Sequence, residues 1–330
     1  MKYLLISLCV IAAIILILLA VSFYVFHDTF VRDRTSKFLA PRKKKSTASR
    51  FMKDIDWESI GKIVADAKER IKATPHFDAH VKSYDGLDLF GQVFEQEGAE
   101  RTIIAFHGYR SNRFGDFASA FFYYRSRGFN IVMVDQRSHG DSEGKYITFG
   151  VKERYDCKKW IEYVNSLPWK KQKIYITGVS MGAATVEMAS GLDLPDNVCG
   201  VIGDCGFSTP YDIVENVGRR TVNMPIGFVL LFVDMWCRLI AGFSLHGASV
   251  PKALSNTKIP LLLIHGEEDG FVPHSMGVEN YNACASPKMM LSVKGADHGV
   301  SYLVSTEEYQ KTLDDFIALT DNLYNKKEPN

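Results

Sequence analysis

Ser180 sits in the run Gly178-Val179-Ser180-Met181-Gly182, a G-x-S-x-G, with an apolar stretch from Ile174 before it and the small residues Gly182, Ala183 and Ala184 after it. Glycine and serine are common, so the pentapeptide alone says little. Its setting says more. A strand that turns sharply into a helix lifts the serine hydroxyl to an apex, and side chains at the two glycines would clash in so tight a turn. A hydroxyl is a poor nucleophile until a base takes its proton. Two downstream segments offer partners: 261–273 (LLLIHGEEDGFVP), which carries Asp269 just past an apolar run, and 289–299 (MMLSVKGADHG), which carries His298 just past another. The chemistry these types permit is nucleophilic acyl transfer, with His298 as base and Asp269 orienting it. Glu267 and Glu268 compete with Asp269 for that place. His265 belongs to the strand end and reads as structural. His274 and Asp297 read as loop residues beside the site, and His107 and His139 as structural or surface. Acyl transfer also needs donors for a developing oxyanion. The backbone N–H of Tyr109, in the turn Phe106-His107-Gly108-Tyr109, and that of Met181, next after the serine, are the candidates.

Elements of a particular kind must hold these groups. The segments 102–106, 130–134, 173–177, 198–203, 260–264 and 288–293 are short, nearly continuous apolar runs, as expected of parallel strands covered on both faces. Helices fit between or after them at 115–127, 150–167, 181–191, 276–285 and 305–323. Such alternation predicts a doubly wound α/β sheet, which places its sites beyond the carboxyl ends of the strands. Upstream, Phe77, Ala79 and Val81 alternate with polar residues, Asp85-Gly86 supplies a turn, and Leu87, Leu89 and Val93 continue the alternation, which predicts an antiparallel hairpin. Residues 54–73 read as an amphipathic helix with Ile60, Ile63, Val64, Ala67 and Ile71 on one face.

Taken together, GVSMG, FHGY, VDQRSHGDSEG (134–144), HGEEDGFVP and GADHG resemble the α/β-hydrolase superfamily, in the family's own order, over roughly residues 77–320. The likeness is to the serine-aminopeptidase-like hydrolases. It extends to bacterial membrane-anchored hydrolases that share features with animal membrane-associated acyl-protein depalmitoylases. The resemblance implies the chain order Ser180, Asp269, His298 and assigns loop-bracing roles to Asp135 and Arg137. One departure stands out: Ser138 occupies a position where the family usually has glycine. Serine at the elbow sets the chain apart from the aspartate-type dehalogenases and epoxide hydrolases.

Residues 208–255 are too long for a simple crossover and predict a cap inserted over the site. Within them Met224–Leu245 is strongly apolar. Asp234 and Arg238 lie four apart on one face of it, which suits a soluble or interfacial helix better than a second membrane span. Phe228, Leu231 and Phe232 are the candidate lining of a substrate pocket in that cap.

The N-terminus predicts an anchor. Tyr3 to Phe26 carries no charged side chain and spans about 36 Å at ~1.5 Å per helical residue, enough to cross a bilayer. A cleaved signal peptide is the competing reading, but the run is long for one and ends in Phe23, Tyr24 and Phe26 rather than small residues. The expected organisation is therefore a transmembrane anchor at 1–27, a basic juxtamembrane linker at 28–53 and a hydrolase domain at 54–330. Arg32, Arg34, Lys37, Arg42, Lys43, Lys44 and Lys45 after the span, against Lys2 before it, place the domain on the cytoplasmic side by the positive-inside rule. The same basic stretch reads either as a solvated linker or as a grip on anionic headgroups.

The net charge of +1 gives no footprint for nucleic acid. Six cysteines without a CxxC pair read as free thiols, and no ligand cluster suggests a metal or cofactor. The expected activity is serine hydrolysis of carboxylic esters or thioesters, the anchor and apolar cap favouring a lipophilic acyl substrate from the bilayer. Amide cleavage of short peptides and a non-catalytic binding protein on the same scaffold are the alternatives.

Overall fold

The computed structural model describes residues 1–32, 57–222 and 226–327. Eight strands form one sheet: β1 (Phe77–Lys82), β2 (Asp88–Phe94), β3 (Arg101–Phe106), β4 (Phe129–Val134), β5 (Lys173–Val179), β6 (Val198–Asp204), β7 (Leu261–Gly266) and β8 (Lys288–Val293), in the order β1-β2-β4-β3-β5-β6-β7-β8. The β1–β2 hairpin is antiparallel, as its turn predicts, and β2 pairs antiparallel with β4; every later pairing is parallel. From β4 the chain crosses back over β3 to form β5. That reversal between β3 and β5 is the topological switch point, where open α/β sheets open a crevice.

Strands β4, β6 and β7 are buried end to end, and alternate residues of the parallel strands feed two cores. Ile104 and Phe106 of β3 belong to one, Ile103 and Ala105 to the other. The helices, in chain order, are α1 (Lys2–Phe30), α2 (Trp57–Ala73), α3 (Phe121–Ser126), α4 (Glu153–Ser166), α5 (Met181–Ala189), α6 (Pro210–Val222), α7 (Gly227–Trp236), α8 (Val250–Leu254), α9 (His274–Ala283), α10 (Ser301–Val304) and α11 (Thr306–Lys327). The first core takes side chains from α4, α5, α6, α7 and the end of α1; the second takes them from α2, α3 and α11.

Two local expectations change. The helix expected at 115–127 is confined to Phe121–Ser126. Upstream of it, Asn112 Oδ1 accepts the Phe114 N–H and Asp116 Oδ1 accepts the Ser111 hydroxyl, local bonds that compete with helix formation. On α2, Ala67 and Ile71 are buried but Ile63 is exposed; Ile60 lies outside the described side chains. The inserted segment contains α6, α7, a π-turn at Cys237–Ala241 and α8. In it Asp234 and Arg238 pair at 2.8 Å, and Asp234 also accepts the Leu245 N–H and the Ser244 hydroxyl. One buried carboxylate thus ties the end of α7 to the chain that follows the π-turn.

Helix α1 is long and apolar enough to cross a membrane and fits a single-pass anchor. Where a linker is expected from residue 28, the helix instead continues to Phe30 and docks on the domain. Phe26 and Phe30 are fully buried, Phe30 packing against Phe149 and Phe243. The Ile147 N–H bonds the Phe30 carbonyl, and Val31 bridges to Tyr146. Burying two phenylalanines is worth roughly 3–6 kcal/mol. The remaining basic positions of the expected linker, from Arg34 on, lie outside the described residues.

Candidate active site

Ser180 caps β5 and opens α5 with φ +56° and ψ −116°, a conformation a β-carbon strains against. The two flanking glycines are required by close approach. A β-carbon on Gly178 would stand 2.1 Å from the Gly182 carbonyl carbon, and one on Gly182 would stand 1.8 Å from the Phe106 carbonyl oxygen of β3. The elbow therefore depends on two strands pressing together at the switch point, and the Ser180 N–H bonding the Asp204 carbonyl at 2.8 Å ties it to β6 as well.

The loops after β7 and β8 bring the other two candidates to this apex. His298 Nε2 lies 2.9 Å from Ser180 Oγ, and His298 Nδ1 lies 2.8 Å from Asp269 Oδ2. Glu267 and Glu268 are exposed, whereas Asp269 is buried, so of the three acids it is Asp269 that meets the imidazole. Its second oxygen accepts the Phe271 and Val272 N–H groups, each at 2.8 Å. Burial works against its charge, yet hydrogen bonds from His265 and His298 hold the carboxyl well below the ordinary range. For His298 burial disfavours the proton, but the Asp269 hydrogen bond and charge outweigh it and raise its pKa above the ordinary 6.5. This geometry can accept a proton from the serine and stabilise the resulting imidazolium.

Four neighbours brace the constellation. His265, at the end of β7, comes within 3.4 Å of Asp269 Oδ2 and 3.0 Å of the Val272 carbonyl. Asp297 Oδ1 accepts the N–H groups of His298 (2.6 Å) and Gly270 (2.7 Å), linking the two loops. Asp204 takes the Tyr309 hydroxyl at 3.2 Å; burial pushes its pKa up to about 6, against the pull of nearby histidines. Asp116 accepts the Gly108 N–H at 2.6 Å and so braces the turn after β3. Nothing in the sequence distinguishes Asp116 or Asp204 from other acids, since each acts through a partner far along the chain or through a turn.

In that turn the Tyr109 N–H has no acceptor among the described residues. Met181 is the first residue of α5, so its N–H lacks an intrahelical partner. The Tyr109 ring packs 5.1 Å from Phe149, and its hydroxyl donates to the Thr29 carbonyl of α1 at 2.7 Å. The next residue, Arg110, is left-handed at φ +56°, bonds His139 Nε2 through its N–H and reaches the Asp28 carbonyl with its guanidinium. The end of α1 and the turn after β3 are thus joined directly.

The loop after β4 also behaves as a brace. Arg137 is held between Asp156 and Asp85, and Asp135 pairs with Arg113. Ser138 has φ +65°, which is why glycine is at home there; its hydroxyl donates to the Tyr146 carbonyl at 2.8 Å. Phe228 and Leu231 do not turn inward. They stand on the outer face of α7, while Leu230 and Val233 fill the core; Phe232 is half-buried. All six cysteines are free. Ligand atoms of Cys205, Asp269 and His298 lie within 4.8 Å of one another. Burial pushes the Cys205 thiol well up, so it stays a neutral thiol, and the other two are already engaged with each other.

Comparison with known proteins fits this architecture. A family model described as X-Pro dipeptidyl-peptidase (S15 family) matches residues 40–224, more than half of the chain. An uncharacterised Bacillus subtilis protein, YqkD, is 26% identical over 237 residues, covering 72% of this chain and 77% of its own length. The Danio rerio lysophosphatidylserine lipase ABHD12 is 25% identical over 210 residues, 59% of this chain and 50% of the lipase. Among solved structures, the Pyrococcus furiosus esterase Pf2001 superposes with a TM-score of 0.61 at 23% identity, over 76% of this chain and 94% of the esterase.

Proposed function

This chain belongs to the X-Pro dipeptidyl-peptidase (S15) family of α/β hydrolases, and within it we propose a membrane-anchored serine hydrolase that cleaves ester or thioester bonds of lipophilic acyl substrates. The observation that carries this reading is the unbroken hydrogen-bond chain from Ser180 through His298 to Asp269, set on a strained elbow.

Ser180 Oγ attacks the carbonyl carbon while His298 Nε2 takes its proton. The oxyanion is held by the N–H groups of Tyr109 and Met181. His298 then gives the proton to the departing alcohol or thiol, leaving an acyl-serine. Water attacks that carbonyl with His298 again as base, the proton returns to Ser180 Oγ, and the carboxylic acid departs. Asp269 keeps the tautomer and offsets the imidazolium charge. No metal or cofactor takes part in these steps.

Two features support a lipophilic substrate. The N-terminal helix ends against the turn that carries Tyr109. A relative of this chain is named as a lipase of a lysophospholipid. Retention of the helix as an anchor, rather than loss as a signal, is supported by the burial of Phe26 and Phe30, since cleavage would strip the core. The basic flank after it favours a cytoplasmic catalytic domain. The description of the S15 family favours a second reading, amide cleavage of short peptides at the same serine.

A fluorophosphonate probe tests the enzyme. Wild type labels and Ser180→Ala does not; equal labelling of both overturns the assignment. A chain-length series of p-nitrophenyl esters run beside aminoacyl amides tests the substrate. Turnover rising with acyl length supports the first reading, and preference for the amides supports the second.

A further inference from the structure

Apart from α1, large apolar side chains left exposed on the described surface are mostly scattered singly. Four share one segment: Phe228 (81% exposed), Leu231 (66%), Leu239 (72%) and Ile240 (39%). They run along the outer side of α7 and its π-turn, while the inner side, Leu230, Val233 and Cys237, fills the core. A helix apolar on both sides is out of place against water.

What covers the outer side follows from how α1 is held. α7 is the helix packed along α1: Trp236 meets Phe23 edge-on at 5.4 Å and donates to Ser22 Oγ at 3.1 Å. Partial burial on α1 begins at Leu18 and recurs at Leu19, Ser22, Val25 and Phe26, one stripe facing the domain. The stretch free of the domain, Lys2–Ile17, covers about 24 Å at ~1.5 Å per residue. A hydrocarbon core is ~30 Å thick. The free stretch cannot cross it alone, so the docked turns from Leu18 on must also lie within the apolar layer, together with what packs beside them. An anchor on a loose tether would leave the domain's depth open; one fused to α7 sets it.

We propose that the outer face of α7 and the π-turn, through Phe228, Leu231, Leu239 and Ile240, is immersed in the bilayer leaflet and seats the catalytic edge of the sheet at the membrane surface. This rests on α1 being a retained membrane anchor. Because Tyr109 bonds the last turn of α1, the turn after β3 lies beside the point where that helix enters the domain.

The test uses the full chain in phosphatidylcholine vesicles, with Cys9→Ser removing the one exposed thiol. A bimane is placed in turn at Leu231→Cys, Leu239→Cys, Ile14→Cys in the free span and Glu162→Cys on α4, and quenching by lipids carrying a nitroxide high on the acyl chain or deep in it is read. The labels at 231 and 239 are expected to be quenched by the shallow nitroxide at least about twofold more than that at 162, as for a face buried 5–10 Å into the interface. Quenching at 14 without quenching at 231 or 239 overturns the proposal and leaves the anchor standing. No quenching at any position overturns both. A disulfide-linked dimer formed by the unlabelled Leu231→Cys protein on mild oxidation, with no quenching of the labelled protein, puts a second copy on the face and likewise overturns it.

Discussion

The two sides of this molecule are built on opposite rules. At the carboxyl edge of the sheet, backbone from β3, β5 and β6 closes to contact around Ser180, and the polar groups of Asp269 and His298 are bonded. Little there can move without a clash or a lost hydrogen bond. On the side of α1 and α7 the interior is apolar, and the outer residues Phe228 and Leu231 are exposed among the described residues. The first side is complete within the chain. The second is the side we propose is completed by the bilayer. Substitutions should therefore act on the first through chemistry and backbone fit, and on the second through burial.

The largest effect is expected at Asp269. Asp269→Asn should lower kcat by about 10⁴-fold, because the wrong imidazole tautomer is then favoured. His298 must be neutral to take the serine proton, so wild-type kcat/KM should fall as pH drops through its pKa, at a midpoint above the ordinary 6.5. Without the carboxylate its hydrogen bond and charge are lost and only the charges of Asp204 and Asp297 oppose burial, so the acid limb should shift to lower pH in the variant. A limb that stays in place would mean that Asp269 does not govern His298.

Next in size is Phe30→Ala, which removes a fully buried ring between Phe149 and Phe243. It should cost about 3–5 kcal/mol of unfolding free energy in detergent. No loss would make α1 a tether attached to the domain and erase the proposed contrast. Gly182→Ala drives a methyl into the Phe106 carbonyl and should cost at least about 2–3 kcal/mol, read from the urea midpoint. The smallest effect belongs to the outer face. Phe228→Ser should change stability in detergent by less than about 0.5 kcal/mol. A larger loss would give that ring a partner within the protein.

Much of the sheet was legible because parallel strands announce themselves as short apolar runs and because a strand's end is a local feature. The six runs anticipated for the central strands match β3 to β8 within a residue or two at each end. Boundaries failed where side chains bond their own backbone, as before α3. The candidate site was legible in its three central residues and in the placing of His265 and Asp297 beside them, but not in Asp116 and Asp204. Asp116, Asp204, His265 and Asp297 act through partners that only the folded loops supply. The inserted segment was legible as apolar but not as oriented, because a helix apolar on all sides carries no polar face to mark which way is out.

The order and types of Ser180, Asp269 and His298, the glycines around the serine and the apolar length of α1 are written in the sequence itself, since each depends on near neighbours along the chain. That α1 ends inside the core, that Tyr109 leans on Thr29 and that Phe228 and Leu231 stand exposed while Leu230 and Val233 enter the core were decided by tertiary structure. Those outcomes depend on which surfaces meet once the sheet has closed, and packing between distant segments leaves no periodic mark on either one.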